Sequence, residues 1–494
     1  MKIKSSILIA TLAIAMMIST FPMPKASAIE LAEEGPDYFV VFGGWNLPAD
    51  ADAIIADCGG MVVSKFPKVG VLVALPTIDP ATFESNLNTR SEIIDFGHDY
   101  VSELPAGETP IIDETSIEET STYTADYSPP LPPVPPDARY YRQWFLWHTI
   151  EANPDTWAIT TGIKGIKVAI LDTGIDYRHP DIAPNYDYAL SANFVDWNFD
   201  GIPDEPIIDE NGHGTWCGGT VAAAFGGGHC IGIGPNLDLV NLKVMGRNGR
   251  GYFEWDFAAI YWAVEHGINV VSMSFGGYAV MAGGAKKGDS ALFAALERLF
   301  NYATKNGVVC VASAGNAGAD MDGLPYGIRH LPSQCSNVID VIGTDINNNL
   351  ASYSNYGSRL HGISAPGGDD PPPPTPPAWF APYVPYLPYP QNTYYGLCYG
   401  PWLVNPPGYP PGIYYAWYGG TSMSAPQVAG VAGLLLSIKP KLTPSQVEHF
   451  LYVGAEDIGE PGYDQYFNFG LLNAYNSLLR ALMSNIRGRF FIVP

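Results

Sequence analysis

The sequence predicts an α/β protein in which a doubly wound, mostly parallel sheet follows a smaller α/β unit. Short apolar runs alternate with helical patterns along the second half of the chain, and a compact group of strand and helix signals precedes them. The apolar runs are residues 167–171, 239–244, 270–274, 308–312 and 338–342, with helical stretches at 255–265 and 290–305. Such alternation is typical of parallel strands joined by helices that cover both faces of one sheet.

The smaller unit covers residues 37–101 and has the order β-α-β-β-α-β. Its strand-like runs are residues 38–42, 60–66, 70–75 and 93–96, and its helical stretches are 51–56 and 80–88. This order matches the ferredoxin-like arrangement. The unit is therefore expected to fold as a small sheet with two helices.

Composition limits the partners of the chain. Its 494 residues are 47% hydrophobic, which supplies a large core and favours two folded units. Lys and Arg number 25 against 49 Asp and Glu, so the net charge is −24. Nucleic acids and anionic membranes repel such a surface, and neither is expected as a partner. Carboxylates suit calcium, which takes oxygen ligands.

The N-terminus carries the pattern of an export signal. Lys2 and Lys4 precede an apolar run over residues 7–21, and Ala26-Ser27-Ala28 is an A-x-A cleavage site. We expect residues 1–28 to be a signal peptide and the protein to be secreted. The alternative is an uncleaved membrane anchor, although the run is short for a span of ~20 residues. No other stretch is expected to be long and apolar enough to cross a bilayer, and stable membrane insertion is not expected.

Three short motifs each place a reactive residue among small neighbours. Asp172 stands in Leu-Asp-Thr-Gly, His213 in Asn-Gly-His-Gly-Thr, and Ser422 in Gly-Thr-Ser-Met-Ser-Ala-Pro. The chain order Asp, His, Ser is one of the orders in which a catalytic triad is built. Ser422 is the expected nucleophile, because a serine hydroxyl needs an adjacent base such as His213. Asp172 would orient the imidazole and stabilise its charged form.

These motifs resemble those of the subtilisin-like serine proteases, the subtilase family, over roughly residues 140–485. The resemblance implies polypeptide substrates and an oxyanion-stabilising side chain, Asn316 in Ala-Gly-Asn-Ala-Gly. It also implies two segments that bind the substrate backbone and line its main specificity pocket. They are Ser274, Phe275 and Gly276 on one side, and Ala314 and Gly315 on the other.

The family resemblance extends to the smaller unit, which is similar to an inhibitory propeptide. The implied organisation is a propeptide at 29–104, an acidic and Pro-rich linker at 105–137, and a catalytic domain at 138–494. The end of the propeptide, residues 99–104, is expected to lie in the substrate groove. Activation cleavage near Leu104 and cleavage within the linker both remain open. A separate binding module is the alternative for this unit, because a fold alone does not establish a function.

An acidic loop follows the first motif and has the spacing of a calcium loop. Asp196, Asn198, Asp200 and Asp204 stand around Gly201, with oxygen-bearing side chains at alternate positions. The Glu expected at the twelfth position is absent, and Ile207 stands there. We expect structural Ca²⁺ at these four residues; the alternative is a solvated acidic loop.

Residues 367–418 form an insertion before the nucleophile that is rich in Pro, Tyr and Trp. Long loops near a catalytic residue are often functional, so one interpretation is a wall of the substrate cleft. A rigid surface decoration is the other. Among the six cysteines, Cys217 lies four residues after His213 and is expected to be a free, unreactive thiol.

Taken together, the sequence predicts a secreted serine endopeptidase that works through an acyl-enzyme on Ser422 and is made as an autoprocessed zymogen. Its own propeptide would be an intramolecular inhibitor, and the enzyme is expected to be a monomer. Two alternatives remain. A peptide ligase or cyclase shares the acyl-enzyme and differs in the acceptor, and a catalytically silent relative would serve as a surface binding module.

Overall fold

The computed structural model describes residues 29–113, 142–146, 154–226, 228–280, 290–325, 327–370, 377 and 394–484. The predicted signal peptide lies outside the described residues. So do most of the predicted linker and the middle of the predicted insertion.

The N-terminal unit has the six predicted elements in the predicted order. They are β1 (Glu34–Phe42), α1 (Ala51–Cys58), β2 (Gly60–Phe66), β3 (Val71–Pro76), α2 (Pro80–Asn88) and β4 (Ile93–Glu103). The strands form an antiparallel sheet in the order β2-β3-β1-β4. The Asp79 side chain caps α2 by accepting a hydrogen bond from the Thr82 N–H at 3.1 Å. Strand β4 runs seven residues beyond its predicted end, towards the larger unit.

The larger unit contains the remaining elements. Its strands are β5 (Ile111–Ile112), β6 (Lys167–Asp172), β7 (Ala192–Asn193), β8 (Asp238–Lys243), β9 (Arg250–Tyr252), β10 (Val270–Met273), β11 (Gly277–Val280), β12 (Val309–Ser313), β13 (Ile328–Leu331), β14 (Val338–Thr344), β15 (Gly362–Pro366), β16 (Cys398–Val404) and β17 (Ile413–Tyr418). Its helices are α3 (Pro154–Ile159), α4 (His213–Ala222), α5 (Phe253–Glu265), α6 (Ala291–Lys305), α7 (Thr421–Ile438), α8 (Pro444–Gly454) and α9 (Ala474–Met483).

A seven-stranded parallel sheet forms the centre of this unit, in the order β15-β14-β12-β10-β6-β8-β7. Its central strands are rich in Val, Ile and Ala and are buried on both faces, as expected for a parallel sheet covered by helices. The doubly wound α/β prediction is confirmed. In such sheets the loops at the carboxyl ends of the strands carry the functional groups.

Helix α7 crosses one face of the sheet and is almost entirely buried. Among the described helices it alone is long and apolar enough to span a membrane by length and composition, so the expectation that no stretch after the signal would meet that test was wrong. However, 89% of its apolar window is buried inside the protein. The apolar character of α7 is therefore explained by its place in the core.

The described part of the insertion is a hairpin that belongs to the core. Strands β16 and β17 pair antiparallel, and β5 adds to the free edge of β17. The side chains of Tyr399, Trp417 and Tyr418 are buried, and the Trp216 indole of α4 donates to the Ala416 carbonyl at 3.2 Å. The interpretation of this hairpin as a surface decoration is therefore wrong.

The two units share an interface that contains buried carboxylates. Strand β4 pairs with β9, and Phe66 contacts Phe257 of α5 with ring centres 4.4 Å apart. Asp37 and Asp99 of the N-terminal unit meet the start of α5, where the Asp99 carboxylate accepts the Glu254 N–H at 3.1 Å. Burial raises the pKa of Asp37 to about 7 and that of Glu254 to about 7. Burial also raises the pKa of Asp99 and of Asp256 on α5 well above the ordinary range.

These shifts predict that the two units hold together less firmly as the pH rises. From about pH 4 to about pH 7 the unfolded chain has lost protons that the folded protein still holds at Asp37 and Glu254. Their contribution to the free energy of unfolding therefore falls through that window and levels off above it. In the Ser422→Ala background, we expect the double variant Asp37→Asn, Glu254→Gln to show a shallower fall of the free energy of unfolding with pH. Thermal unfolding between pH 5 and 8 measures it. An unchanged slope would contradict this.

Candidate active site

The three motif residues lie at the ends of regular elements that meet above the sheet. Asp172 is the last residue of β6, His213 is the first of α4, and Ser422 is the second of α7. Helix α4 approaches the end of β6 so closely that a Cβ at Gly214 would overlap the Gly174 carbonyl oxygen. The small residues of the motifs thus permit the backbones to meet. All three reactive side chains are buried.

Asp172 and His213 form a bidentate contact. His213 Nδ1 lies 2.8 Å from Oδ1 and 2.9 Å from Oδ2 of the carboxylate. The Thr173 N–H also donates to Oδ1, at 2.7 Å, and fixes the carboxylate. Burial opposes the charged imidazole, but the Asp172 carboxylate and the Cys217 sulfur outweigh it and hold the pKa of His213 well above its ordinary value. This is the arrangement of a base oriented by a carboxylate.

Ser422 is placed at the N-terminus of α7, as predicted, with its hydroxyl turned towards Ser274. Its Oγ donates to the Ser274 carbonyl oxygen at 3.1 Å, and the Ser274 hydroxyl donates to the Ser422 carbonyl at 3.0 Å. The dipole of α7 favours negative charge near the serine. The serine is therefore placed for catalysis while its hydroxyl is engaged elsewhere.

Asn316 presents its amide to the same centre in a fixed orientation. Its Oδ1 accepts hydrogen bonds from the Thr421 N–H at 3.0 Å and the Thr421 hydroxyl at 2.7 Å. With the oxygen so occupied, Nδ2 points into the site beside the Ser422 N–H. Two donors thus converge on one point, which is the geometry of an oxyanion hole.

A carboxylate from the same chain fills that point. Oε1 of Glu108 accepts from Asn316 Nδ2 at 2.8 Å and from the Ser422 N–H at 3.3 Å. Its Oε2 lies 2.9 Å from His213 Nε2, and only 1% of the Glu108 side chain is exposed. A Cβ at Gly420 would overlap this carboxylate, so the glycine of the third motif also makes room for it. Glu108 engages the base and both oxyanion donors together.

Sequence reasoning missed Glu108. It stands in Pro-Ala-Gly-Glu-Thr-Pro, inside a segment that is acidic throughout and was interpreted as the beginning of a linker. Its only local signal is Gly107, whose φ of +87° turns the backbone just before it. A turn glycine in a polar segment is too common to single out one glutamate.

The residues that lead to Glu108 approach the active site along the predicted substrate-binding segment. Glu103 exchanges two backbone hydrogen bonds with Gly276, at 3.1 and 3.2 Å, and the Leu104 N–H donates to the Gly249 carbonyl at 2.9 Å. Glu103 and Leu104 thus lie beside the predicted substrate-binding segment, and their place in a substrate groove stays a prediction. The expectation for residues 99–104 is wrong for Asp99, which is buried in the interface with α5.

The other predicted substrate-binding residues surround the same cleft. Phe275 is fully buried between Ser274 and Gly276. The Ala314 N–H donates to the Val341 carbonyl of β14 at 3.0 Å, and the Gly315 N–H donates to the Thr421 hydroxyl at 3.2 Å. The segment before Asn316 is therefore tied both to the sheet and to α7.

The acidic loop folds around the four predicted calcium ligands. The Asp196 carboxylate accepts the Gly201 N–H at 2.7 Å, and the Asn198 side chain accepts the Asp200 N–H at 2.9 Å. The Asn198 amide donates to Asp204 at 3.1 Å. Three aspartates and one asparagine thus lie along one turn, where they accept hydrogen bonds from its backbone N–H groups.

Cys217 lies beneath the catalytic histidine. Its sulfur is 3.9 Å from His213 Nδ1 and 3.7 Å from the Ser422 carbonyl oxygen. Burial raises the pKa of its thiol to about 11, so it is protonated and a poor nucleophile. The prediction of a free thiol at Cys217 is confirmed, and the other five cysteines are buried as well.

The fold and the three motif residues at this centre are those expected of a serine hydrolase, and sequence comparison identifies the family. The pattern of the subtilase family (Peptidase_S8) matches residues 163–470. The chain is 33% identical to subtilisin DY from Bacillus licheniformis over 317 residues, which are 63% of this chain and 91% of that protein. It is 32% identical to thermitase from Thermoactinomyces vulgaris over 326 residues, 66% of this chain and 92% of that protein. The chain belongs to the subtilase family and is a serine endopeptidase.

Solved structures confirm the subtilisin-like fold. The epidermin leader peptide processing serine protease EpiP from Staphylococcus aureus superposes with a TM-score of 0.69 at 22% identity, covering 92% of this chain and all of that one. The nisin leader peptidase NisP from Lactococcus lactis has a TM-score of 0.56 at 24% identity, over 69% of this chain and 94% of that one.

Two substitutions separate the role of the triad from that of the oxyanion hole. Asp172→Asn is expected to lower kcat about 10⁴-fold, because the imidazole loses its orienting charge. Asn316→Ala is expected to lower kcat about 10²–10³-fold with KM little changed, because its donor acts on the transition state. Hydrolysis of a chromogenic peptide measures both, with variants matured by tagged wild-type enzyme that is then removed.

Ser424→Ala is the matched control. This serine lies on the same helix, and its hydroxyl donates to the Ala365 carbonyl at 3.0 Å, away from the reacting groups. It is expected to keep near wild-type kcat. A loss for Ser424→Ala as large as those for Asp172→Asn and Asn316→Ala would contradict the roles assigned to these two residues.

Proposed function

We propose that this chain is the self-inhibited precursor of a secreted subtilase that cleaves extended polypeptides. The observation that carries the proposal is the position of the Glu108 carboxylate. It belongs to the same chain, lies between the two oxyanion donors and contacts the general base His213. The segments on both sides of it are held in the cleft, by Gly276 upstream and by β17 downstream. The N-terminal unit therefore acts as an inhibitory propeptide, and its inhibitory segment continues past Leu104.

Glu108 inhibits through charge as well as by filling space. His213 faces a carboxylate at each ring nitrogen, and two such neighbours favour the imidazolium. An imidazolium cannot take the proton of Ser422, whose hydroxyl donates to Ser274 instead. Removal of Glu108 takes away one of these two charges and frees Nε2 for the serine.

In the active enzyme the same groups carry out acyl transfer. Ser422 Oγ attacks the scissile carbonyl carbon while His213 takes its proton, and Asp172 stabilises the imidazolium that forms. The Asn316 amide and the Ser422 N–H then hold the negatively charged oxygen that Glu108 replaces in the precursor. His213 gives its proton to the leaving amine. Water repeats the sequence on the acyl-enzyme and releases the second product.

Neutralising Glu108 is expected to speed self-processing. Glu108→Gln keeps the size of the side chain and removes the charge that pairs with His213. Charge-assisted hydrogen bonds contribute about 1.5–3 kcal/mol, so conversion of the full-length protein is expected to be about 10–100-fold faster. Gel analysis of the purified precursor over time measures the rate.

Glu103→Gln is the matched control, since Glu103 lies on the same segment with its side chain exposed. Adding Ser422→Ala to each variant is expected to abolish conversion and so excludes a contaminating protease. Equal conversion rates for Glu108→Gln and the unsubstituted precursor would contradict inhibition by the Glu108 carboxylate.

Export and assembly follow the same proposal. The basic start, apolar run and A-x-A site of residues 1–28 support secretion, and the net charge of −24 supports a soluble monomer that avoids nucleic acids and anionic membranes. An enzyme of this kind requires inhibition until it has left the cell. The Glu108 carboxylate supplies that inhibition.

Calcium binding is part of the proposal. Asp196, Asn198, Asp200 and Asp204 would hold the ion in their loop and so brace the chain that follows β7. With about 1 mM CaCl₂ the Tm of the Ser422→Ala protein is expected to rise by about 2–4 °C over the EDTA value. Asp196→Asn with Asp200→Asn is expected to abolish this rise, and MgCl₂ is the control salt. A rise that persists in the double variant would place the ion elsewhere.

A further inference from the structure

A histidine lies between the two predicted substrate-binding segments. His330 of β13 stands opposite Tyr278 of β11 in antiparallel register. A Cβ at Gly276 would lie 2.5 Å from Cε1 of its imidazole, and a Cβ at Gly315 would lie 2.8 Å from Nε2. The ring therefore contacts the backbone of both segments, and its Cε1–Nε2 edge faces the space between them.

The opposite edge of the ring decides which nitrogen carries the proton. The Ser333 hydroxyl donates to the His330 carbonyl oxygen at 3.3 Å, and its oxygen lies 3.0 Å from Nδ1. Nδ1 is therefore the nitrogen that donates, and the lone pair of the neutral ring is on Nε2. Burial lowers the pKa of His330 to about 4, so the ring is neutral at neutral pH. Nε2 is thus a hydrogen-bond acceptor.

This acceptor lies where a bound side chain would cover it. His330 is 4% exposed, and within the described part of the chain its ring hydrogen-bonds to Ser333 alone. An apolar group that enters the space between the segments leaves Nε2 buried without a partner, which is unfavourable. A group with an N–H or O–H donor satisfies it. The pocket therefore distinguishes side chains by their ability to donate.

The residues that hold the imidazole belong to the larger unit. The Asn355 amide donates to the Tyr278 hydroxyl at 2.6 Å and to the Ala314 carbonyl at 2.6 Å, which ties the two segments together. The Tyr278 ring packs against the imidazole with ring centres 4.9 Å apart. None of these contacts involves the N-terminal unit, so its departure removes none of them.

The imidazole also limits the length of a bound side chain. It fills the width between Gly276 and Gly315, where an added Cβ on either glycine would overlap it. Interiors are close-packed, so a long or aromatic side chain can enter only by displacing the ring. A short side chain ends at Nε2.

We propose that His330 closes the end of the main specificity pocket and selects, before the scissile bond, a short side chain that donates a hydrogen bond to Nε2. Asn, Ser and Thr meet both conditions. This inference rests on the proposed function, because the two segments must bind an extended polypeptide. It adds the class of residue after which the enzyme cuts.

The test measures kcat/KM of the self-processed enzyme at neutral pH on four peptides. They differ only in the residue before the scissile bond, which is Asn, Asp, Leu or Phe. The Asn peptide is expected to exceed the Asp peptide about 10-fold or more, because a carboxylate of the same shape offers no donor to Nε2. The Phe peptide is expected to fall about 10-fold or more below the Asn peptide, because its ring is too long for the pocket.

Substitutions of His330 then separate hydrogen bonding from length. His330→Leu and His330→Ala both remove the acceptor, and each is expected to lower the Asn-to-Leu ratio of kcat/KM about 10-fold. Only His330→Ala, which also opens the pocket, is expected to raise the Phe-to-Asn ratio. His330→Gln keeps a polar group of similar size and is the matched control, expected to retain most of the Asn-to-Leu ratio.

Each ratio is taken within one enzyme, so a general loss of activity does not affect it. If the leucine variant does not fold, the alanine variant tests the same hydrogen bond.

Three results would overturn the inference. The first is wild-type enzyme that cuts the Asp or the Phe peptide as fast as the Asn peptide. The second is an Asn-to-Leu ratio that stays unchanged in both apolar variants, and the third is casein cut while the Asn peptide stays intact. Failure of the proposed function looks different, because casein would then remain uncut as well.

Discussion

The contact between Asp172 and His213 depends on two backbone ends being held within a few ångströms of each other. The carboxyl end of β6 supplies the acid, and the first turn of α4 supplies the base. Neither the 2.8 Å contact nor the raised pKa of His213 survives if α4 moves away from the sheet. The small residues around both motifs keep this approach possible, and the buried sheet beneath makes it rigid.

In the proposed precursor, the same preorganised donors serve catalysis and inhibition. Two donors aimed at one point stabilise an oxyanion during the reaction, and in this structure they bind a carboxylate oxygen of Glu108. Donors that are placed to stabilise the transient charge of an oxyanion can also bind the permanent charge of a carboxylate from the same chain. The roles proposed for Glu108 and Asn316 therefore share one physical origin, the fixed orientation that Thr421 imposes on the amide.

The segment that carries Glu108 is held on both sides of the active site by different kinds of structure. Upstream, Glu103 pairs with Gly276 beside the parallel sheet. Downstream, β5 pairs with a hairpin whose aromatic side chains are part of the core. The hairpin packs on α4, the helix that carries His213, so the insertion and the catalytic base are mechanically linked. An insertion that lies this close to the base becomes part of the cleft.

The sequence by itself determined both fold classes, the element order of the N-terminal unit and the candidates Asp172, His213 and Ser422, because period, turn signals and short motifs are local properties of a chain. Asn316 came from the family resemblance, since Gly-Asn alone indicates only a turn. Only the tertiary structure decided that Glu108 faces His213 and that Asp113 meets Arg142. These pairs are separated by 105 and 29 residues and carry no local signal. Contacts between acidic linker residues and remote cations depend on how the folded units pack. The local pattern of the sequence does not show which distant residues meet.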